Sequence, residues 1–205
     1  METLDTYLSG LASSSATPGG GSAAMFVAAA GAALVAMVCR ISQNNPKLAA
    51  HHQAAERIAA EADELRAAFI DVRKRDEDAF DRVVEAQRMP KSTDAQTRAR
   101  ADALEGALHH AAAVPLEAAG LVGRALLLAH ATLAIESKNL ISDVGCAAEF
   151  AHAALKACAY NVRINHKFMK NRAPVGAQSQ ELDGLEREGA LLLGEIRAAV
   201  DGALK

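Results

Sequence analysis

Between Ser22 and Cys39 the chain runs 18 residues without a charge, and nearly every side chain is apolar. A stretch of that length approaches the roughly 20 residues of a membrane span, and it equally suits a helix buried on all sides by other helices. Its makeup decides between the two. It is built from Ala and Gly more than from Leu, Ile and Phe, and it lacks flanking aromatics. Alanine contributes little to membrane insertion, so the segment reads as the central helix of a packed domain rather than a span.

The rest of the composition fits that reading. Of the 205 residues, 51% are hydrophobic but only 3% aromatic, and there is no Trp. Alanine is the strongest helix former, and its small side chain lets helices approach closely. A β-sandwich would instead show Val, Ile, Tyr and Thr in alternation. The expected class is therefore all-α, a single-domain bundle of long helices with no sheet. A net charge of −3 and a pI near 6.2 offer no clustered basic face for nucleic acid. Cys39, Cys146 and Cys158 show no CxxC spacing, which suits reduced thiols in a cytoplasmic protein. The N-terminus opens with Glu2 and Asp5 and has no basic region ahead of an apolar stretch, unlike a secretory signal.

Along the chain, a short helix is expected over 2–12, ended by the Pro18-Gly19-Gly20-Gly21 run. Ser22 then caps the apolar helix, which runs to about Ser42. A long charged helix follows over 47–88, and Thr93 caps the next, reaching about Val114. Pro115 either opens a new helix or kinks this one. Ser142 or Asp143 caps a helix to about Lys170, a loop covers 171–179, and a last amphipathic helix fills 180–200. No repeat of roughly 20–50 residues is present.

Four places carry candidate chemistry. Thr17-Pro18-Gly19-Gly20-Gly21-Ser22 leads straight into a helix, where free first-turn amides favour an anionic or electron-rich group; a tight turn explains the glycines equally well. Asp78, Asp81 and Glu85 lie at i, i+3 and i+7 on one helix face. Carboxylates held among like charges have raised pKa values, although Arg75 and Arg82 would also make this an ordinary solvated face. In Asn139-Leu140-Ile141-Ser142-Asp143, helix capping competes with ligand binding. Asn161 and Asn165, one turn apart beside Val162 and Ile164, need polar partners that a heterocycle or a neighbouring helix would supply. His51-His52 and His109-His110 are adjacent pairs pointing to different sides of a helix, and a single Glu149–His152 ExxH is half of what a di-metal bundle site requires. No metal site is expected.

Six segments in order resemble one family: Thr17-Pro18-Gly19-Gly20-Gly21-Ser22-Ala23-Ala24, Asp76-Glu77-Asp78-Ala79-Phe80, Pro90-Lys91-Ser92-Thr93, Val114-Pro115-Leu116, Asn139-Leu140-Ile141-Ser142-Asp143 and Asn161-Val162-Arg163-Ile164-Asn165. This is the cyclodeaminase/cyclohydrolase family, and the resemblance covers about residues 2–172. The resemblance implies an all-helical fold, a homodimer or higher oligomer, and a tetrahydrofolate derivative as substrate, with no further cofactor. Glu136-Ser137-Lys138-Asn139 stands where many cyclodeaminases carry Gly-Asn-Pro-Asn, which resembles the free-standing methenyltetrahydrofolate cyclohydrolases. By this resemblance Asp78 is the catalytic carboxylate, with Asp81 second. Pro18, Gly19, Gly20, Gly21 and Ser22 face the substrate, Asn139, Ser142 and Asp143 hold the pterin, Asn165 is a further substrate-binding residue, and Lys91 holds the glutamate tail, with Lys138 or Arg163 as further cations. Formimidoyltetrahydrofolate cyclodeaminase and a non-catalytic helical scaffold are the rival readings.

Overall fold

The computed structural model describes residues 3–205, so Glu2 of the first expected helix lies outside the described residues. Six α-helices make up the described chain: α1 (Leu4–Leu11), α2 (Gly20–Gln43), α3 (His52–Arg88), α4 (Asp94–Ala131), α5 (Ile141–Phe168) and α6 (Ala173–Ala203), with short 3-10 turns before α3 and α5. No strand occurs among the described residues.

Helices α2 to α5 form an up-down-up-down bundle in which each packs on the next and α5 closes back on α2. Contacts fix the antiparallel sense. Ser22 meets Glu77 while Arg40 meets Asp63 across α2 and α3. Gly20 lies beside Asn161 while Gly31 lies against Ala147 and Ala151 across α2 and α5. Alanine explains how closely the helices sit: Ala28, Ala32 and Ala36 of α2 and Ala147, Ala148 and Ala151 of α5 are all buried. At Gly31 a methyl group would stand 3.0 Å from the Ala147 carbonyl, so the two backbones nearly touch. Helix α6 covers the groove between α4 and α5. The apolar stretch is thus the inner helix of a bundle, with 13 of its 24 residues buried.

Several expected boundaries move. Helix α2 begins two residues before Ser22, with Gly19 as its cap, so Gly20 and Gly21 are helical and the Ser22 hydroxyl is free for other work. Helix α4 neither stops at Val114 nor restarts; it continues through buried Pro115 as one helix of 38 residues. Ser142 and Asp143 lie inside the first turn of α5 rather than capping it, since Leu140 holds the cap position. The loop expected over 171–179 is mostly helix, because Pro174 sits in the first turn of α6, where its missing N–H costs nothing. Thr93 does cap α4, in a capping box with Gln96. Glu136 adopts a left-handed conformation (φ 57°) in the turn before α5, a region that few residues other than glycine, Asn and Asp adopt.

Candidate active site

Helix α3 shows a 4-3 spacing of inward positions: Leu65, Phe69, Val72, Asp76, Ala79, Val83 and Ala86. Six of these are buried and small or apolar; the seventh is a carboxylate. Asp76 therefore points into the bundle, at the level where α2 begins and α5 nears its end. There it lines a cleft of about 210 Å³ together with Thr17, Gly19, Gly20, Gly21, Glu77, Phe80, Ala111, Asn161 and Asn165.

Removal from water pushes the Asp76 carboxyl up to about 6; the neighbouring Glu77 charge adds to this, and the Ser22 backbone N–H opposes it by donating to the carboxylate. This brings proton exchange into the working range of a general base. Space for the carboxylate comes from Gly21. A Cβ there would stand 2.7 Å from both Cγ and Oδ1 of Asp76 and closer still to Oδ2, so no other residue fits without displacing the acid.

Glu77 is held by a buried relay. Tyr7 and Ser22 hydroxyls lie 2.8 Å apart, Ser22 Oγ donates to Glu77 Oε1 at 2.6 Å, and Arg73 Nη1 donates to the same oxygen at 3.1 Å. Because Ser22 spends its only proton on Glu77, Tyr7 must donate to Ser22. The Arg73 guanidinium lies 4.9 Å from the centroid of the Tyr7 ring, which itself stacks on Phe26. Helix α1 thus reaches the site through one buried tyrosine. Cys158 lies behind the acid pair; burial and then the Asp76 charge push its thiol up to about 12, so it stays protonated and inert.

The cleft gathers part of the residue set expected from sequence. Gly19, Gly20, Gly21 and Asn165 line it. Pro18 joins Thr17 by a cis peptide at its edge. Ser22 lies beneath the wall, bonded to Glu77. Asp81 is exposed at the rim, where it accepts from the Thr17 hydroxyl at 3.2 Å and ties the glycine-rich loop to α3. Asp78 is exposed and outside the cleft, because it lies two residues, or about 200°, around α3 from Asp76. The face shared by Asp78, Asp81 and Glu85 is the outer one. Lys91 is exposed at the tip of the α3–α4 hairpin; from Asp76 to Arg88 alone α3 advances about 18 Å. Asn139, Ser142 and Asp143 sit at the opposite end of α5, with Ser142 about 28 Å along the axis from Asn161. Lys138 lies in that same turn, and Arg163 is engaged by Asp183 and Glu186 of α6.

Fold and cleft together define the class: an all-helical bundle with a desolvated aspartate beside a second acid at the mouth of a glycine-started helix. The chain belongs to the formiminotransferase-cyclodeaminase family, whose model matches residues 3–184. It is 37% identical over 191 residues to a methenyltetrahydrofolate cyclohydrolase of Methylorubrum extorquens, covering 93% of this chain and 92% of that one. The crystal structure of a formiminotetrahydrofolate cyclodeaminase from Thermotoga maritima matches with a TM-score of 0.89 at 25% identity, across 100% of this chain and 98% of that one. The family resemblance carried by the six sequence segments is thereby borne out.

Proposed function

We propose that this protein hydrolyses 5,10-methenyltetrahydrofolate to 10-formyltetrahydrofolate, as a cytoplasmic homodimer or higher oligomer that needs no cofactor, membrane or nucleic acid. The observation that carries the reading is Asp76, an acid titrating near neutrality inside the cleft, beside a second acid, Glu77. The bridging carbon of the substrate is part of an amidinium-like cation, and two adjacent carboxyl groups supply the complementary field. A water adds to that carbon as Asp76 accepts one of its protons. Collapse of the adduct then breaks the bond to N5, which takes up a proton, while the C=O forms on N10 and one proton is released overall. The first-turn amides of α2, at the positive end of its dipole, face the oxygen as charge develops on it.

This reading transfers the catalytic role from Asp78 to Asp76. To test it, purified protein is mixed with methenyltetrahydrofolate and loss of the near-ultraviolet chromophore is followed above the uncatalysed rate. The expected result is fast decay that disappears in an Asp76 variant. No decay, with ammonia released from formimidoyltetrahydrofolate instead, would make the chain a cyclodeaminase; inertness toward both would leave the scaffold reading.

The oligomer part rests on an uncovered surface. The outward positions of α2, namely Ala23, Val27, Ala30, Leu34, Met37 and Ile41, repeat with a strict 4-3 spacing and carry no charge. Beside them Phe150, Ala153, Ala157, Tyr160 and Ile164 repeat the pattern on the outer side of α5. Val27, Phe150, Tyr160 and Ile164 are each at least 38% exposed. Two adjacent seams, about 27 Å long on α2 and about 21 Å on α5, match the geometry of helix pairing with a second copy. An antiparallel two-fold centred near Ala30 would bring Ser142 and Asp143 of the second copy level with the Asn161 end of the first, restoring their expected place beside the substrate. Val27→Glu places a charge on this seam and is expected to give monomers by light scattering with helicity unchanged; a variant that keeps the wild-type mass would remove this face from the assembly.

A further inference from the structure

Helix α4 passes through Pro115 unbroken, and this leaves one backbone acceptor without its helical donor. The ring nitrogen of Pro115 has no hydrogen for the carbonyl four residues earlier, that of Ala111. Ala111 lines the cleft, and its carbonyl is taken up from the neighbouring helix: Asn165 Nδ2 donates to it at 2.9 Å. The second hydrogen of the same amide goes to the Asn161 carbonyl at 2.8 Å. Both partners are carbonyl oxygens, so only the NH2 half of the amide satisfies them, and the orientation of Asn165 is fixed by chemistry. Its donors are spent and its side-chain oxygen is left for the cleft. Asn161 is held in the same way on one side, by the Ala157 carbonyl at 2.9 Å, and keeps one N–H.

We propose that Asn165 selects the substrate through its side-chain oxygen, as a pure acceptor that reads an N–H on the ligand's heterocycle, and that Pro115 is the positioning residue that holds it so. The inference rests on the folate reading above, in which the donor edge is the amino-pyrimidinone side of the reduced pterin. A part-buried acceptor with its donors already committed penalises any ligand edge that offers only lone pairs, because neither partner is satisfied once the ligand excludes water. A Gln or Asn with free rotation would accept either edge. Proline in α4 removes that freedom at a distance from the ligand, through one orphaned carbonyl.

Pro115→Ala returns an N–H to position 115, which recaptures the Ala111 carbonyl and frees the Asn165 amide to turn. The expected kinetic result is a KM for methenyltetrahydrofolate raised about tenfold with kcat within about a factor of two, the size of one lost oriented hydrogen bond. Thermal stability should hold or rise, since Ala is the better helix former. Asn165→Ala should raise KM similarly, and adding Pro115→Ala to it should change nothing further, because both act through one amide. A proline that served only the fold would instead lower the melting temperature and shift KM in the double variant independently of Asn165. Side-chain amide NMR supplies a readout that does not depend on turnover: the Asn165 NH2 protons should exchange slowly in the wild type and markedly faster in Pro115→Ala. Unchanged exchange, or an unchanged KM in Pro115→Ala, overturns the proposal. Slow, proline-dependent exchange without binding of the non-reacting probe 5-formyltetrahydrofolate would uphold the lock, overturn the pterin selection and sink the folate reading.

Discussion

Asp76→Asn should abolish turnover, by two to four orders of magnitude if its loss is that of a positioned base, and should make the protein more stable at neutral pH. The two effects share one cause. Burial holds the wild-type carboxyl near 6, well above its ordinary 3.8, with the Glu77 charge adding to the shift. A group whose pKa is raised by folding binds more protons in the native state. Its contribution to stability is full below about pH 4 and is lost as the pH rises to about 6. Above that the wild type carries a desolvated charge that asparagine does not, so Asn should gain on the order of 1–3 kcal/mol at pH 7.5, read from urea midpoints. In the wild type, kcat/KM should rise through about pH 6 and level off, since the base must be deprotonated. The kcat profile should bend at lower pH, because the bound cation favours the charged carboxylate. An Asp76→Asn protein that is stable but retains the wild-type rate would return the base to Asp78 or Asp81.

The legible parts of this molecule were those set by composition and periodicity. An uncharged alanine-rich run between charged amphipathic stretches leaves a bundle as the natural arrangement, and the Thr93 cap marks a helix start because its side chain does local work. Glycine misled at α2. Gly20 and Gly21 look like loop, but at Gly21 the conformational cost is outweighed by the need to bring backbone against a carboxylate, a tertiary demand with no local signature. Pro115 left two readings open, a new helix or a kink in one helix, and the single helix is possible because a neighbouring helix offers a donor for the carbonyl that proline orphans, from Asn165, 50 residues away in sequence. The choice among the neighbouring acids turns on a different point. In Arg75-Asp76-Glu77-Asp78 the acids are consecutive, so choosing the i, i+3, i+7 set picks out a charged face, and charged faces are solvated. The informative feature was the acid that interrupts an otherwise apolar 4-3 seam between Val72 and Ala79. Tyr7 and Arg73 carried no signal, because what makes them part of the site is a stack and a relay assembled from three helices.

Gly21→Ala is expected to cut kcat about a hundredfold while the bundle survives, which makes a single methyl group nearly as damaging as loss of the acid. Alanine is the better residue for a helix by up to about 1 kcal/mol, so propensity alone predicts a gain at this position. The tertiary contact reverses the sign. The added Cβ would lie 2.7 Å from the Asp76 carboxyl carbon, well inside van der Waals contact, so one of the two must move. Moving either backbone would strain other contacts, since Ser22 of α2 is hydrogen-bonded to Glu77 of α3 and the loop before α2 is tied to the same helix by the Thr17–Asp81 hydrogen bond. The carboxyl group has to rotate, breaking its bond from the Ser22 N–H and displacing the base by about 1 Å, and a displacement of that size costs on the order of two decades in rate. Loss of the Ser22 donor removes the one influence that lowers the Asp76 pKa, so the midpoint of kcat/KM should also move above 6. Gly20→Ala is the matched comparison: its Cβ would stand 3.9 Å from Asn161 Nδ2, ordinary contact, and its rate should fall far less. Equal losses in the two variants would mean that the glycines serve the helix start rather than the acid, and would separate Gly21 from Asp76.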